Sequence, residues 1–193
     1  MTRKTDRLVL ASASPRRQEL LRQIGCAFRV VASDAEEISG DGVSPERTAA
    51  ENARRKAADV ASREPDGAAV LGADTVVAVD GEILGKPKDE ADAKRMLRLL
   101  SGRRHFVYTG LALAYQGKVF QDVVQTAVWM DALSEEEIAA YVATGEPMDK
   151  AGAYAVQGMA AKFIPKIDGS FSNVVGLPLH ATRQLARKAG ILF

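Results

Sequence analysis

Short unbroken apolar runs and apolar positions at helical spacing take turns along this chain, and that pattern predicts strands and helices in alternation. Leu8, Val9 and Leu10 suit a short buried strand, and the small residues Ala11 to Ser14 follow where the backbone must bend. Ser14 and Pro15 then open a helix. The serine hydroxyl is placed to accept from first-turn amides, the proline fits the first helical position, Leu20, Leu21 and Ile24 form the buried face, and Gly25 ends it. Phe28 to Ser33 reads as a second strand, followed by an acidic, glycine-containing loop with Asp34, Glu36 and Glu37. A longer helix runs from Ser44-Pro45 to about Ser62. Its buried face is Ala49, Ala53, Ala57 and Val60, with Arg54, Arg55 and Lys56 beside it and most of those charges expected in solvent.

The most apolar stretch, Ala69 to Val79, predicts a strand that turns at Asp80-Gly81 into a hairpin. The stiff basic loop Gly85-Lys86-Pro87-Lys88 precedes a helix capped by Asp89 and carrying Met96, Leu97 and Leu100. Residues His105 to Tyr115 and Lys118 to Asp131 form a second hairpin around Gln116-Gly117. Ser134 to Glu137 is a capping box for a helix that closes before Gly145. Beyond it, Asp149, Lys150 and Gln157 sit among Gly and Ala, where small residues let a ligand approach the backbone. A strand and a glycine turn then lead to a final helix with Pro178 near its start and Gly190 at its end. No repeat, low-complexity tract or linker divides the sequence, so residues 1–193 are expected to form one domain.

Composition narrows the function classes. With 193 residues, 47% of them hydrophobic, the chain is long enough to bury a sizeable core, in one piece or as two lobes around a cleft. A net charge of +1 from 26 basic and 25 acidic side chains gives no bulk support for a nucleic-acid or membrane-surface partner, so local clusters must carry any phosphate affinity. One cysteine, Cys26, and two histidines, His105 and His180, leave a His/Cys zinc cage without enough ligands, and any metal belongs among oxygens. The N-terminal apolar run is too short for a signal peptide and no window approaches a membrane span, which points to a cytoplasmic protein.

Two stretches carry candidate chemistry. At the start of the first helix, free amides, Ser12, Ser14, Arg16 and Arg17 converge. Arginines in a first turn work against the helix dipole unless an anion lies nearby, whereas the plain alternative is a capped helix with two solvated arginines. In the apolar strand, Asp74 is the anomalous residue: a buried unpaired carboxylate costs several kcal/mol, so it needs a cation, a metal or a strong donor, with neighbouring amides or Thr75 as the structural alternative. Glu37 alone reads as solvated surface. Lys86, restrained by Pro87, either aims its ammonium at a ligand or is simply exposed.

Taken in order, ASASPRRQELL, ARRKA, LGADTVV, LGKP, EPMDKAGAYAVQG and GSFSNVVGLPL resemble the Maf family of nucleoside triphosphate pyrophosphatases over nearly the whole chain. The resemblance implies a mixed α/β fold of two lobes around a deep cleft, akin to inosine-triphosphate pyrophosphatases, and a homodimer. It implies hydrolysis of a nucleoside triphosphate between the α and β phosphates with a divalent cation, Mg2+ or Mn2+. Matched by position, it gives Asp74 as proton acceptor, Arg17, Lys56 and Lys86 as catalytic cations, and Glu37 with Asp74 as metal donors. Ser12, Ser14, Arg16, Thr75 and Gln157 are the implied substrate-binding residues. The stretch DKAGAYAVQG is similar to the branch acting on dTTP and UTP, with Ala155 where that branch often has glycine and Phe171 for a frequent tyrosine. Family history adds two alternatives: a nucleotide-binding regulator of septum formation and cell division, and the same hydrolysis of 7-methyl-GTP.

Overall fold

The computed structural model describes residues 8–38 and 42–192. The basic N-terminal residues 1–7 and Gly40 of the acidic loop lie outside them. One mixed sheet organises the rest. Strand β1 (Leu8–Leu10) pairs in parallel with β2 (Arg29–Val30) on one side and with the start of β3 (Ala69–Val79) on the other. Strand β3 turns at Asp80 and Gly81, both with positive φ, into β4 (Glu82–Leu84). The second hairpin, β5 (Arg104–Tyr115) and β6 (Lys118–Trp129), continues the sheet antiparallel to β3, and β7 (Lys166–Asp168) closes it.

The edge of β3 decides where a site can form. Strand β5 covers one edge from Val70 to Ala78, so β1 and β4 share the other. There β1 reaches only Leu71 and β4 begins only at Val77. Among the described residues, positions 72–76 of that edge have no neighbouring strand. The sheet is therefore open in its middle, and side chains from both of its faces reach the same gap.

Helix α1 (Pro15–Gln23) follows β1, and α2 (Pro45–Ala61) lies across β3 and β5 on one face of the sheet. Ala49, Ala53, Ala57 and Val60 are fully buried beneath α2. The approach is close enough to require glycine in the sheet: a Cβ on Gly72 would fall 2.3 Å from the Ala53 carbonyl, and one on Gly110 2.2 Å from that of Ala49. On the opposite face, α1 packs with α3 (Glu90–Leu100), α4 (Glu135–Val142), the short α5 (Phe171–Val175) and α6 (Leu179–Lys188) over the main apolar core. Ser44, Asp89 and Ser134 cap α2, α3 and α4 as the pattern predicts, the last in a complete capping box.

Four expectations are corrected. The Ser14 hydroxyl does not cap α1; its backbone N–H turns to Ser12 Oγ at 3.3 Å instead. Ile24 is 38% exposed, because α1 ends at Gln23, Gly25 turns the chain and Cys26 takes the buried place. The strand expected from Phe28 to Ser33 shrinks to two exposed residues, since its partner among the described residues, β1, is three residues long. The C-terminal region contains one helix more, α5, which Ser170 caps by accepting from the Asn173 N–H.

Candidate active site

The opening in the sheet leads into a cavity of about 760 Å³. Three segments built near the chain start and the long helix supply Ser12, Ser14, Arg16, Arg17, Glu37 and Lys56 to its wall, and β3 supplies Asp74 and Thr75. Lys86 arrives from the loop after β4, and Gln157 from the segment after α4. All ten residues singled out in the sequence thus share one cavity, although nearly 150 positions separate the first from the last.

On the α2 side, Asp74 is only 6% exposed and both of its oxygens are engaged. Lys56 Nζ lies 2.7 Å from Oδ1, and Asn52 Nδ2 donates to Oδ2 at 3.2 Å. Lys56 also meets Glu37 Oε1 at 2.6 Å, so one nearly buried ammonium is shared by two carboxylates from different parts of the chain. Asp74 faces Gly110 across the β3–β5 pair, where no side chain competes for the space. The expectation of solvated charges along α2 holds for Arg54 and Arg55, which pair with Glu51. It fails for Lys56, one helical turn beyond Asn52 and turned inward with it.

On the α1 side, Arg17 fans out among neutral oxygens. Nε donates to the Gly176 carbonyl at 2.8 Å, Nη1 to Ser12 Oγ at 3.0 Å and Nη2 to Thr75 Oγ1 at 3.2 Å. Among the described residues no carboxylate touches it. Removal from water holds the guanidinium pKa below its ordinary value, with the charge of Asp74 acting in the opposite direction. Arg17 remains a cation, fixed by dipoles whose charge does not cancel its own, which is how an anion site is built. The Thr75 hydroxyl also meets Thr109 Oγ1 at 2.8 Å, so its hydrogen bonds are directed at Arg17 and the sheet.

At the mouth, Arg16 Nη1 meets Asp149 Oδ2 at 3.1 Å, and Lys150 meets the same carboxylate. Burial pushes the Asp149 carboxyl upward, but the bonds from Lys150 and Arg16 outweigh it and leave the pKa below the usual range. The Gly152 N–H donates to the Gly85 carbonyl at 3.1 Å, which ties this segment to the loop carrying Lys86. Lys86 and Gln157 are exposed at the wall. Tyr154, part of the wall, pairs with fully buried His105 behind it at 2.7 Å, and burial pulls the imidazole pKa down to about 4, so it is neutral at pH 7.

Two carboxylates that grip one ammonium can both reach a cation placed near it. Oxygen donors of this kind suit Mg2+ or Mn2+, whose remaining positions would fall to phosphate oxygens and water. Among the described residues no cluster of three or more acidic, histidine or cysteine side chains offers an alternative cage. Asn52 escaped sequence reasoning, although its place one turn before Lys56 beside the alanine stripe was a usable signal. Of the two departures from the resembled pattern, Ala155 lines the cavity, whereas Phe171 is half exposed and outside it.

Residues 7–189 match the family model described as Maf-like protein. A dTTP/UTP pyrophosphatase of Symbiobacterium thermophilum is 52% identical over 96% of this chain and 95% of its own. Proteins of that name from Methanosarcina barkeri and Geotalea uraniireducens are each 50% identical, covering 95% and 100% of this chain and 94% and 100% of theirs. The structure of the Staphylococcus aureus Ham1 protein overlaps 64% of this chain and 71% of its own at 20% identity and a TM-score of 0.43.

Proposed function

This chain belongs to the Maf family, and we propose that it is a dTTP/UTP pyrophosphatase: it adds water across the bond between the α and β phosphates and yields the nucleoside monophosphate and pyrophosphate. Identity of about half over essentially the full length to relatives with that activity in their names supports the reaction. The observation in the cleft that carries it is Arg17, a cation held by neutral oxygens in the same cavity as the Asp74, Lys56 and Glu37 cluster.

The chain's residues divide the work. Arg17, Lys56 and Lys86 set a positive field around the triphosphate, which is where phosphoryl transfer gains most from preorganised charge. Asp74 accepts the proton of the attacking water; its two engaged oxygens keep further lone pairs, and their partners fix the carboxylate plane. A divalent cation, Mg2+ or Mn2+, held by Glu37 and Asp74, would supply positive charge next to the phosphate oxygens. Arg16 and Gln157 lie at the mouth and wall where the base and sugar would lie, and the Gln157 amide offers both a donor and an acceptor to a pyrimidine edge. Thr75 contributes by holding Arg17. We further expect one catalytic domain, a homodimer and a cytoplasmic setting, where nucleotide pools are found. Among the described residues no helix is long and apolar enough to cross a membrane.

Purified protein incubated with Mg2+ and a panel of dTTP, UTP and 7-methyl-GTP tests this. The expected products are pyrophosphate with dTMP or UMP. Orthophosphate with a nucleoside diphosphate, or preferential turnover of 7-methyl-GTP, would overturn it.

A further inference from the structure

Asn52 is 2% exposed and its amide is engaged on both sides. Oδ1 accepts from the Ile38 N–H at 2.8 Å, and Nδ2 donates to Asp74 Oδ2 at 3.2 Å and to the Ile38 carbonyl at 3.4 Å. The orientation of this amide follows from its neighbours. Flipping it would set a carbonyl oxygen against the Asp74 carboxylate and the Ile38 carbonyl and an NH2 group against the Ile38 N–H, three repulsive contacts in place of three hydrogen bonds. A buried amide with that much of its capacity used does not turn easily.

The partners matter more than their number. Ile38 adjoins Glu37, so the bonds from Asn52 clamp the backbone next to one acid while its third bond fixes the carboxylate of the other. Glu37 and Asp74 come from a loop and a strand that share no sheet pairing; Lys56 links them through two flexible side chains, and the loop's other ties to α2, Arg55 to the Glu36 carbonyl and Asp59 to Ser33 and the Asp34 N–H, do not involve Asp74. Asn52 sits on the same face of α2 as Lys56, one turn earlier. It is the rigid connection that keeps the two acids at a set separation and the Asp74 carboxylate in one plane.

We propose that Asn52 is a positioning residue for the hydrolytic reaction: it couples the Glu37 loop to Asp74 so that the cation site and the proton acceptor are set together. This rests on the reading of the cleft as a pyrophosphatase site. The coupling has two separable parts, and two substitutions separate them. Asn52→Ala removes both the loop clamp and the donor to Asp74. Asn52→Asp keeps the shape and one oxygen for the Ile38 N–H, but turns an acceptor toward Asp74 and adds a third carboxylate.

The experiment compares wild type, Asn52→Ala and Asn52→Asp in steady-state release of pyrophosphate from Mg-dTTP, and measures Mn2+ binding without nucleotide by calorimetry. For Asn52→Ala we expect kcat to fall at least about tenfold with KM for dTTP within about threefold, and Mn2+ to bind more weakly by about threefold or more. For Asn52→Asp, kcat should fall as far while Mn2+ affinity does not fall. An Asn52→Asp protein turning over within about threefold of wild type, or an Asn52→Ala defect confined to KM, would overturn the proposal. Should Asn52→Ala fail to fold, as judged by its thermal transition, Asn52→Asp decides; failure of both to fold makes Asn52 a structural residue and also overturns it. Absence of pyrophosphate release by the wild type would instead refute the reaction itself, and the Mn2+ measurement then decides alone, with unchanged affinity in Asn52→Ala counting against the coupling.

Discussion

Asp74 and Thr75 are neighbours in one strand, yet they belong to two regions of opposite electrostatic character. Asp74 faces α2, where one ammonium lies between two carboxylates, leaving the cluster one negative charge in excess, and the neutral amide of Asn52 takes the other Asp74 oxygen. Thr75 faces α1 and α5, where Arg17 has three hydrogen bonds and, among the described residues, no counter-ion. The first region has its charges in contact and a negative excess, whereas the second, among the described residues, lacks an anion. A phosphate chain that passes the mouth would find in Arg17 a cation already oriented by neutral oxygens. One strand delivers both halves because its side chains alternate and its edge is bare from 72 to 76.

The largest effect that can break this contrast lies on the Asp74 side. Asp74→Asn keeps the shape but removes the proposed proton acceptor, and pyrophosphate release from Mg-dTTP should fall by about a thousandfold or more while the thermal transition moves little. Turnover within tenfold of wild type would remove Asp74 from the chemistry. The next effect lies on the Arg17 side. Arg17→Met should lower kcat/KM for dTTP by about a hundredfold, the scale of one preorganised charged contact to the reacting phosphates. A second measurement sharpens it: inorganic pyrophosphate should raise the melting temperature of wild type well above its effect on Arg17→Met, which lacks the cation held among neutral oxygens. Equal stabilisation of both would mean that the anion sits elsewhere.

How much of this was legible beforehand follows from the range of each determinant. Helix boundaries set by Ser44-Pro45, Asp89 and Ser134-Glu137, and turns set by Asp80-Gly81 and Gln116-Gly117, are local, and they were read correctly from a few residues each. Asp74 was legible as an anomaly, a charge within an apolar strand, and its demand for a partner followed from solvation energy alone. The identity of that partner was not. Lys56 looks like Arg54 and Arg55 until the rotation of α2 on the sheet is known, and that rotation depends on Gly72 and Gly110 admitting the helix backbone. Likewise the bare edge of β3 is a difference between two long-range registers, with β1 ending at Leu71 and β4 starting at Val77. Ile24 and the strand after Phe28 failed for the same reason: each followed local apolar spacing that the tertiary partners, a short β1 and a buried Cys26, did not extend.

The smallest effect is the one that probes the junction of the two regions. Lys56 holds the place between Glu37 and Asp74 that a divalent cation would compete for, so its positive charge opposes metal entry while no nucleotide is bound. An ammonium and a divalent cation about 4 Å apart repel by about 8 kcal/mol at the effective dielectric of a partly solvated site, and relaxation of a long flexible side chain returns most of that. Lys56→Met should therefore bind Mn2+ about tenfold more tightly in the absence of nucleotide, measured by calorimetry, even as pyrophosphate release falls because a phosphate-facing cation is gone. The two changes have opposite sign, which an unfolded or merely loosened protein could not produce. If the substitution weakens Mn2+ binding instead, the two carboxylates depend on the ammonium to stay together, and the Asp74 side of the cleft is an ion-pair network rather than a cation site.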